Sequence, residues 1–204
     1  MPDKLKIGGV ITLYETGNQA LVSTYRPITL LSVFHKIMEK LMFDRLVNFL
    51  EKHNMIDDSQ FGFRSGRSTT QASMLFTDKI QRAIESKLYS CGIFLDLSKA
   101  FDTVDHSILL AKLEHYGILG LPNEWFRSYL TNRQQFISVN NLDSDPLQIT
   151  CGVPQGSVLG PVLFLIYIND FTNCSSIFDF HLFADDFNLF YTHSDLQHLE
   201  QNVN

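Results

Sequence analysis

The stretch HLFADDFNLF, residues 181–190, places two adjacent acidic residues inside an otherwise apolar segment. The apolar residues on both sides predict a buried strand or hairpin, whereas a buried carboxylate without a partner is costly and normally neutralises or finds a counter-charge. His181 is the only basic residue among these ten. The charge that compensates Asp185 and Asp186 must therefore come from another part of the chain or from a bound cation.

A third acidic residue, Asp96, ends the apolar run of CGIFLDL, residues 91–97. The continuous run Ile93–Leu95 predicts a strand that is covered on both faces. Carboxylates gathered at a strand end and at a hairpin repel each other unless a hard divalent cation joins them, and Mg²⁺ prefers such oxygen ligands. The residue types alone leave open whether Asp96 and Asp185 meet in the fold.

Composition sets further limits on the class of protein. The chain has 204 residues, 45% of them hydrophobic, and a formal net charge of −6, which is a poor match to a free-standing nucleic-acid binder. Three widely spaced cysteines without a CxxC motif, and no signal peptide, predict a reducing intracellular compartment, the nucleus or the cytoplasm. The most apolar run has eleven residues, too few to cross a membrane.

Apolar residues spaced by three and four positions predict a helix from Thr29 to about Lys52. Its apolar side would carry Leu30, Phe34, Ile37, Leu41 and the region Leu46–Leu50, with charged residues, Glu39 among them, between these positions. Further helices are predicted at about Thr70–Leu88, at 102–117 with Asp102 or Thr103 as N-cap, and at 158–170.

Strand signals are fewer. Residues 1–28 are predicted to be irregular apart from a strand candidate at GGVITLY, residues 8–14. Residues 133–140 and 146–150 predict a β-hairpin joined by a polar connection. Helices and hairpins do not alternate regularly, so the predicted fold class is α+β.

Three motifs, in this order, resemble successive core motifs of reverse transcriptases, most closely those of non-LTR retrotransposons of the LINE or jockey type. They are FLDLSKAFDTVDH at 94–106, GVPQGSVLGPVLFLIYIND at 152–170 and LFADDFNLF at 182–190. Residues 25–42 and 60–72 resemble the fingers motifs that precede them. The resemblance implies a right-hand polymerase with a palm of antiparallel sheet and packed helices. It further implies a partial fingers subdomain at 1–90 and an incomplete palm at 91–204, with a fingers-type insertion at about 118–150 and no thumb.

The resemblance also assigns roles to the acidic residues. It implies that Asp96, Asp185 and Asp186 are the catalytic carboxylates. Two Mg²⁺ ions, which Mn²⁺ can replace, would be bound by Asp96, Asp185 and the backbone carbonyl of Leu97. A bound cation would then supply the missing positive charge.

Five further residues match positions that contact substrate in this family. Phe101 resembles the steric gate, an aromatic ring under the sugar that excludes a 2′-hydroxyl. Gln155 and Gly156 resemble the contact to the incoming nucleotide, Arg26 resembles an arginine that binds the triphosphate, and Arg64 resembles a contact to the template backbone.

The function implied is RNA-directed DNA synthesis, with an RNA template, a DNA primer and dNTPs as partners and no membrane. Glu15 departs from the family, because relatives commonly carry basic residues in this stretch. A thumb, and often an endonuclease, would belong to other parts of a longer polyprotein, so we expect the chain alone to extend primers poorly. An inactive remnant that binds nucleic acid or protein stays open as an alternative. A metal-dependent phosphatase would leave the VPQG and ADD motifs unexplained.

Overall fold

The computed structural model describes residues 1–14, 16–21, 24–139 and 142–203. The chain forms two compact units, and each unit combines two separate stretches of sequence. The first unit is Met1–Met55 with Lys99–Tyr167, and the second is Ile56–Ser98 with Ile168–Asn204. The units thus cut across the boundary predicted at residue 90, and the division into fingers and palm stays a prediction.

The first unit contains a mixed sheet and most of the helices. Its strands are β1 (Ile7–Tyr14), β2 (Tyr25–Leu30), β4 (Arg133–Val139), β5 (Leu142–Asp143) and β6 (Leu147–Ile149). The strand order is β2-β1-β4-β5, and β6 also pairs with β4. β1 runs antiparallel to β2 and parallel to β4, and the β4–β6 pair confirms the predicted hairpin. β2 lies in a segment that was predicted to be irregular.

The helices of the first unit are α1 (Val33–Lys52), α3 (His106–His115), α4 (Leu121–Leu130) and α5 (Gly160–Ile168). The apolar helix α5 provides much of the core, because Leu163 and Ile166 are completely buried, which confirms the predicted buried helix. The predicted N-cap of α3 is wrong. Asp105 occupies that position and accepts from the backbone N–H groups of Ser107 and Ile108. No helix in the described part of the chain is both long and apolar enough to cross a membrane.

The predicted apolar side of α1 is wrong in the first half of the helix and confirmed in the second half. Phe34 is 73% exposed and Glu39 is completely buried, whereas Leu46 and Leu50 are buried as predicted. The helix begins after Ser32, whose hydroxyl accepts from the backbone N–H of His35. Periodicity could not reveal the burial of Glu39, because it depends on hydrogen-bond partners that lie far away in the sequence.

The second unit is built on a three-stranded antiparallel sheet of order β3-β8-β7. Its elements are α2 (Thr69–Glu85), β3 (Tyr89–Asp96), β7 (Asp179–Phe183), β8 (Asp186–His193) and α6 (Leu196–Val203). Phe76 of α2 contacts the rings of Phe94 and Phe190, so α2 packs on one face of this sheet. The prediction that β3 is covered on both faces is wrong. β3 is an edge strand, and Phe94 is 68% exposed.

Candidate active site

The β7–β8 hairpin carries the two adjacent aspartates at its tip. Ala184 and Asp185 form a two-residue turn, and Asp186 is the first residue of β8. Ala184 has a φ of 57°. The favoured two-residue turns need positive φ at one or both central residues, which usually selects glycine. Alanine is strained there, and strain of this kind clusters at functional sites.

Strand pairing places Asp96 directly opposite Asp186, and Asp186 in turn opposite Phe183. Residues paired in this way lie on one face of the sheet, with Cβ atoms about 4.5–5.5 Å apart, and like charges in this arrangement are destabilising. Asp96 and Asp186 are exposed and Asp185 is half-buried. Among the described residues, no lysine or arginine forms an ion pair with any of the three carboxylates.

The partner of Asp96 in the sheet therefore differs from the one named in the predicted metal site. The prediction joined Asp96 to Asp185, whereas the strand register joins it to Asp186 and leaves Asp185 in the adjoining turn. Leu97, whose carbonyl was the predicted third ligand, directly follows β3. The assignment of metal ligands stays a prediction.

The carboxylates fit a magnesium site of the open kind. Within the described ranges, no three His, Cys, Asp or Glu side chains are placed together to hold a metal ion. Mg²⁺ does not require such a cage, since it commonly binds one or two carboxylates and completes its shell with water and substrate phosphates. Asp96 and Asp186 face each other, form no ion pair with a lysine or arginine that the structure describes, and supply that number of carboxylates.

Arg64, the predicted template contact, is engaged within its own loop in this structure. Its guanidinium donates to the carbonyl oxygens of Asp57 at 2.8 Å and of Gln60 at 3.3 Å. It also lies 3.8 Å from the carboxylate of Asp58. These contacts order the segment between α1 and α2, so Arg64 stabilises this loop whether or not it also contacts a template.

A cavity of about 430 Å³ lies within the first unit, and Gln155 is one of its lining residues. The Gln155 backbone carbonyl accepts from the N–H of Thr29 at 2.9 Å. Its side-chain Nε2 donates to both carboxylate oxygens of Asp102, at 3.3 and 3.4 Å. Asp102, predicted to be a helix cap, is therefore an orienting partner of the predicted nucleotide contact.

Glycines allow the loop that carries Gln155 to adopt its path. Gly152 has a φ of 85°, and a Cβ there would lie 2.7 Å from the carbonyl oxygen of Asp102. Gly156 has a φ of 95° and is exposed. Its predicted role in close approach to the nucleotide stays a prediction, but its backbone conformation favours glycine.

The other two predicted nucleotide contacts have different surroundings. The ring of Phe101 lies 4.6 Å, centroid to centroid, from that of Phe164 in α5. Arg26 is an exposed residue of β2, and its neighbours Pro27 and Thr29 line the cavity. Since successive strand residues point to opposite faces, Arg26 faces away from that cavity.

A buried polar cluster in the first unit was not predicted. The Glu39 carboxylate accepts from the Tyr129 hydroxyl at 2.6 Å and from the backbone N–H of Val158 at 2.9 Å. His35 Nε2 lies 3.4 Å away. Burial raises the pKa of the Glu39 carboxyl, but the nearby His35 and the hydrogen bonds from Tyr129 and Val158 outweigh that effect and hold the pKa below its usual value.

The buried cluster extends to Arg133. Its guanidinium lies over the Tyr129 ring at 5.0 Å and donates to the Tyr129 carbonyl. Burial lowers the pKa of Arg133, while burial and the neighbouring Glu39 raise the pKa of the Tyr129 hydroxyl. Because Val158 follows Gln155 by three positions, the cluster fixes the end of the loop that carries Gln155.

Comparison with known proteins agrees with the arrangement of motifs. The family profile "Reverse transcriptase (RNA-dependent DNA polymerase)" matches residues 15–204. The chain is 35% identical, over 83% of its length, to the probable RNA-directed DNA polymerase of transposon BS from Drosophila melanogaster. It is also 35% identical over 83% of its length to the RNA-directed DNA polymerase of the mobile element jockey from the same organism. The matched part spans only 19% and 18% of those two relatives.

A solved structure shares the fold at low sequence identity. Apo telomerase from Candida tropicalis, truncated from its C-terminal domain, aligns with a TM-score of 0.66 at 13% identity. The alignment covers 98% of this chain and 46% of the telomerase chain. This likeness confirms an α+β fold of the polymerase palm type.

Proposed function

Since the chain belongs to the reverse transcriptase family, we propose that it supplies the catalytic carboxylates for RNA-directed DNA synthesis by a non-LTR retrotransposon. The observation that carries the proposal is the pairing of Asp96 with Asp186, beside Asp185 in the hairpin turn. Three acidic groups at one end of a sheet, without a basic partner among the described residues, favour a bound cation.

The family generally uses divalent metal ions. We propose that Asp96, Asp185 and the Leu97 carbonyl hold two Mg²⁺ ions, for which Mn²⁺ can substitute, with Asp186 facing the same site. Metal ions in such a pair stabilise the attacking and leaving oxygens of a phosphoryl transfer. The sheet contributes by fixing the carboxylates before substrate arrives, so that little reorganisation is needed.

Substrate contacts are proposed from the matching motifs. Gln155 and Gly156 would contact the incoming dNTP, with Asp102 orienting the Gln155 amide. Phe101 would exclude the 2′-hydroxyl, and Arg26 would bind phosphate oxygens. Arg64 would contact the backbone of the RNA template that is paired with a DNA primer.

One observation favours the alternative of an inactive remnant. The net charge of −6 weakens the attraction to a primer and template that catalysis would require. Glu15, the residue that departs from the family, lies outside the described residues. Activity decides between the two functions, because a remnant would bind without catalysing.

The test places this chain in a polymerase that has all its other parts. Residues 15–204 would replace the matched segment of the jockey polymerase, and primer extension on an RNA template would be compared with an Asp185→Asn version. We expect extension that requires Mg²⁺ or Mn²⁺ and is lost in the variant. Equal extension by both, or none by a chimera that circular dichroism shows to be folded, would contradict the proposal.

A further inference from the structure

The side chain of Gln60 contacts the turn that carries Asp185. Gln60 is 3% exposed, and its Oε1 accepts from the backbone N–H of Ala184 at 3.0 Å. The same oxygen accepts from the N–H of Gly62 at 2.7 Å, and Nε2 lies 3.5 Å from the Ala184 carbonyl. The amide of Gln60 thus holds the residue immediately before Asp185.

The backbone beside Gln60 reinforces this contact. The N–H of Phe61 donates to the carbonyl of Leu182 at 2.8 Å, and the N–H of Leu182 donates to the carbonyl of Ser59 at 2.9 Å. Gln60 therefore forms an isolated parallel bridge with Leu182 of β7. These bonds fix the position of Gln60 relative to the hairpin, so its amide meets Ala184 at a defined point.

Gly62 permits the close approach. A Cβ at this position would lie 2.2 Å from the Ala184 nitrogen, a distance at which something must move. Ala184 is itself held at a φ of 57°. A strained residue persists only where its surroundings determine its conformation, and here the surroundings are Gln60 and Gly62.

We infer that Gln60 is a positioning residue for the aspartate hairpin. Its amide holds Ala184 in the strained turn and so fixes Asp185 and Asp186 beside Asp96. The inference rests on the proposed function, because Gln60 would affect cation binding only through the positions of Asp185 and Asp186. A polar side chain is suited to this role, since buried backbone groups of a tight turn need hydrogen-bond partners.

The experiment measures the turn and the cation separately in the full chain. Gln60→Met removes the hydrogen bonds at similar volume, and Gln81→Met is the control, because Gln81 is an exposed glutamine of the same unit. Hydrogen exchange of the Ala184 N–H should accelerate about five- to tenfold in Gln60→Met and stay unchanged in the control. The N–H groups of residues 188–192 in β8 should exchange as in the unchanged chain, whereas a general loss of packing would accelerate them as well.

Mn²⁺ binding followed by titration calorimetry supplies the functional readout. We expect Gln60→Met to bind Mn²⁺ about tenfold more weakly than the unchanged chain, with no change in Gln81→Met. Unchanged Mn²⁺ affinity or unchanged Ala184 exchange in Gln60→Met would overturn the positioning role and leave the proposed function standing. Absence of Mn²⁺ binding by the unchanged chain would overturn the proposed function and the positioning role with it.

Discussion

At the scale of single residues, the buried Glu39 cluster and the three aspartates at the surface show that residue type alone does not determine burial. Glu39 belongs to a helix whose pattern predicts a charged outer face, yet it is completely buried against Tyr129 and Val158. Asp96, Asp185 and Asp186 show the opposite behaviour, because they stay at the surface of an apolar hairpin. Burial is thus decided by available partners and not by residue type.

Replacing Glu39 by glutamine should lower the free energy of unfolding by about 1–3 kcal/mol. A glutamine amide has only one accepting oxygen, so one of the two donors, Tyr129 or Val158, would be left facing an N–H group. Chemical denaturation measures the loss, with Glu51→Gln on the exposed end of the same helix as the control. Equal stability of the two variants would show that the buried hydrogen bonds contribute nothing.

The lowered pKa of Glu39 also predicts a pH dependence. Because the carboxyl binds protons less readily in the folded chain, its contribution is fully present above the ordinary glutamate pKa and is lost as pH falls below that range. Denaturation midpoints at neutral and acidic pH measure how steeply the stability falls with pH. Stability should fall less steeply in Glu39→Gln, and an unchanged pH dependence would assign the acid sensitivity to other groups.

Phe101→Ala should raise incorporation of ribonucleotides relative to deoxyribonucleotides, because it removes the ring proposed to exclude the 2′-hydroxyl. The substitution also removes the contact with Phe164, which can lower the rate for both nucleotide types. The quantity to compare is therefore the ratio of ribonucleotide to deoxyribonucleotide incorporation and not the absolute rate. The measurement is primer extension by the jockey chimera with each nucleotide type, and Phe101→Tyr, which keeps the ring, is the control. An unchanged ratio would remove Phe101 from sugar selection.

At the scale of elements, sequence patterns predicted the helices and hairpins that depend on residues close together in the chain. The buried helix α5, the hairpin of β4 and β6, and the aspartate hairpin all follow from apolar runs and turn residues nearby in the sequence. The pairing of β1 with β4 and the edge position of β3 depend on segments far apart, so local patterns could not reveal them. The burial of Glu39 in the first half of α1 belongs with these, since its hydrogen-bond partners come from α4 and from the loop before α5.

For the candidate site, too, the sequence predicted the residues but not the contacts that join distant segments. The motifs predicted Asp96, Asp185 and Asp186 as residues, but not the register that places Asp96 opposite Asp186. They included Gln60 without indicating a role, and Asp102 was predicted to be a helix cap, because each acts on a residue that is distant in the sequence. Gln60 supports the Ala184 turn, and Asp102 receives the Gln155 amide.

Ala184→Gly should raise the free energy of unfolding by up to about 1 kcal/mol. Glycine adopts positive φ without strain, and the relief exceeds the added flexibility of the unfolded chain. Ala72→Gly in α2 is the matched control and should lower the same quantity by about 1 kcal/mol. Thermal or chemical denaturation compares the two variants. A lower free energy of unfolding in both would show that Ala184 is not strained.

At the scale of the whole molecule, the chain passes between its two units three times, after Met55, after Ser98 and after Tyr167. Asp96 and Phe101 are only five positions apart, yet they belong to different units. Division of a sequence into consecutive domains cannot represent such an arrangement. The proposed binding of a divalent cation involves the second unit by itself, because that unit contains all three aspartates.

Paramagnetic broadening of amide signals by Mn²⁺ in the isotopically labelled chain tests this cation binding. We expect substoichiometric Mn²⁺ to broaden the signals of Asp96, Leu97 and residues 184–186 first, and excess Mg²⁺ to reverse the effect. Asp186→Asn should weaken the broadening, whereas Asp179→Asn, on the same sheet but paired with Lys79, should not. Broadening centred on other residues, or equal broadening in both variants, would show that the three aspartates do not bind the cation.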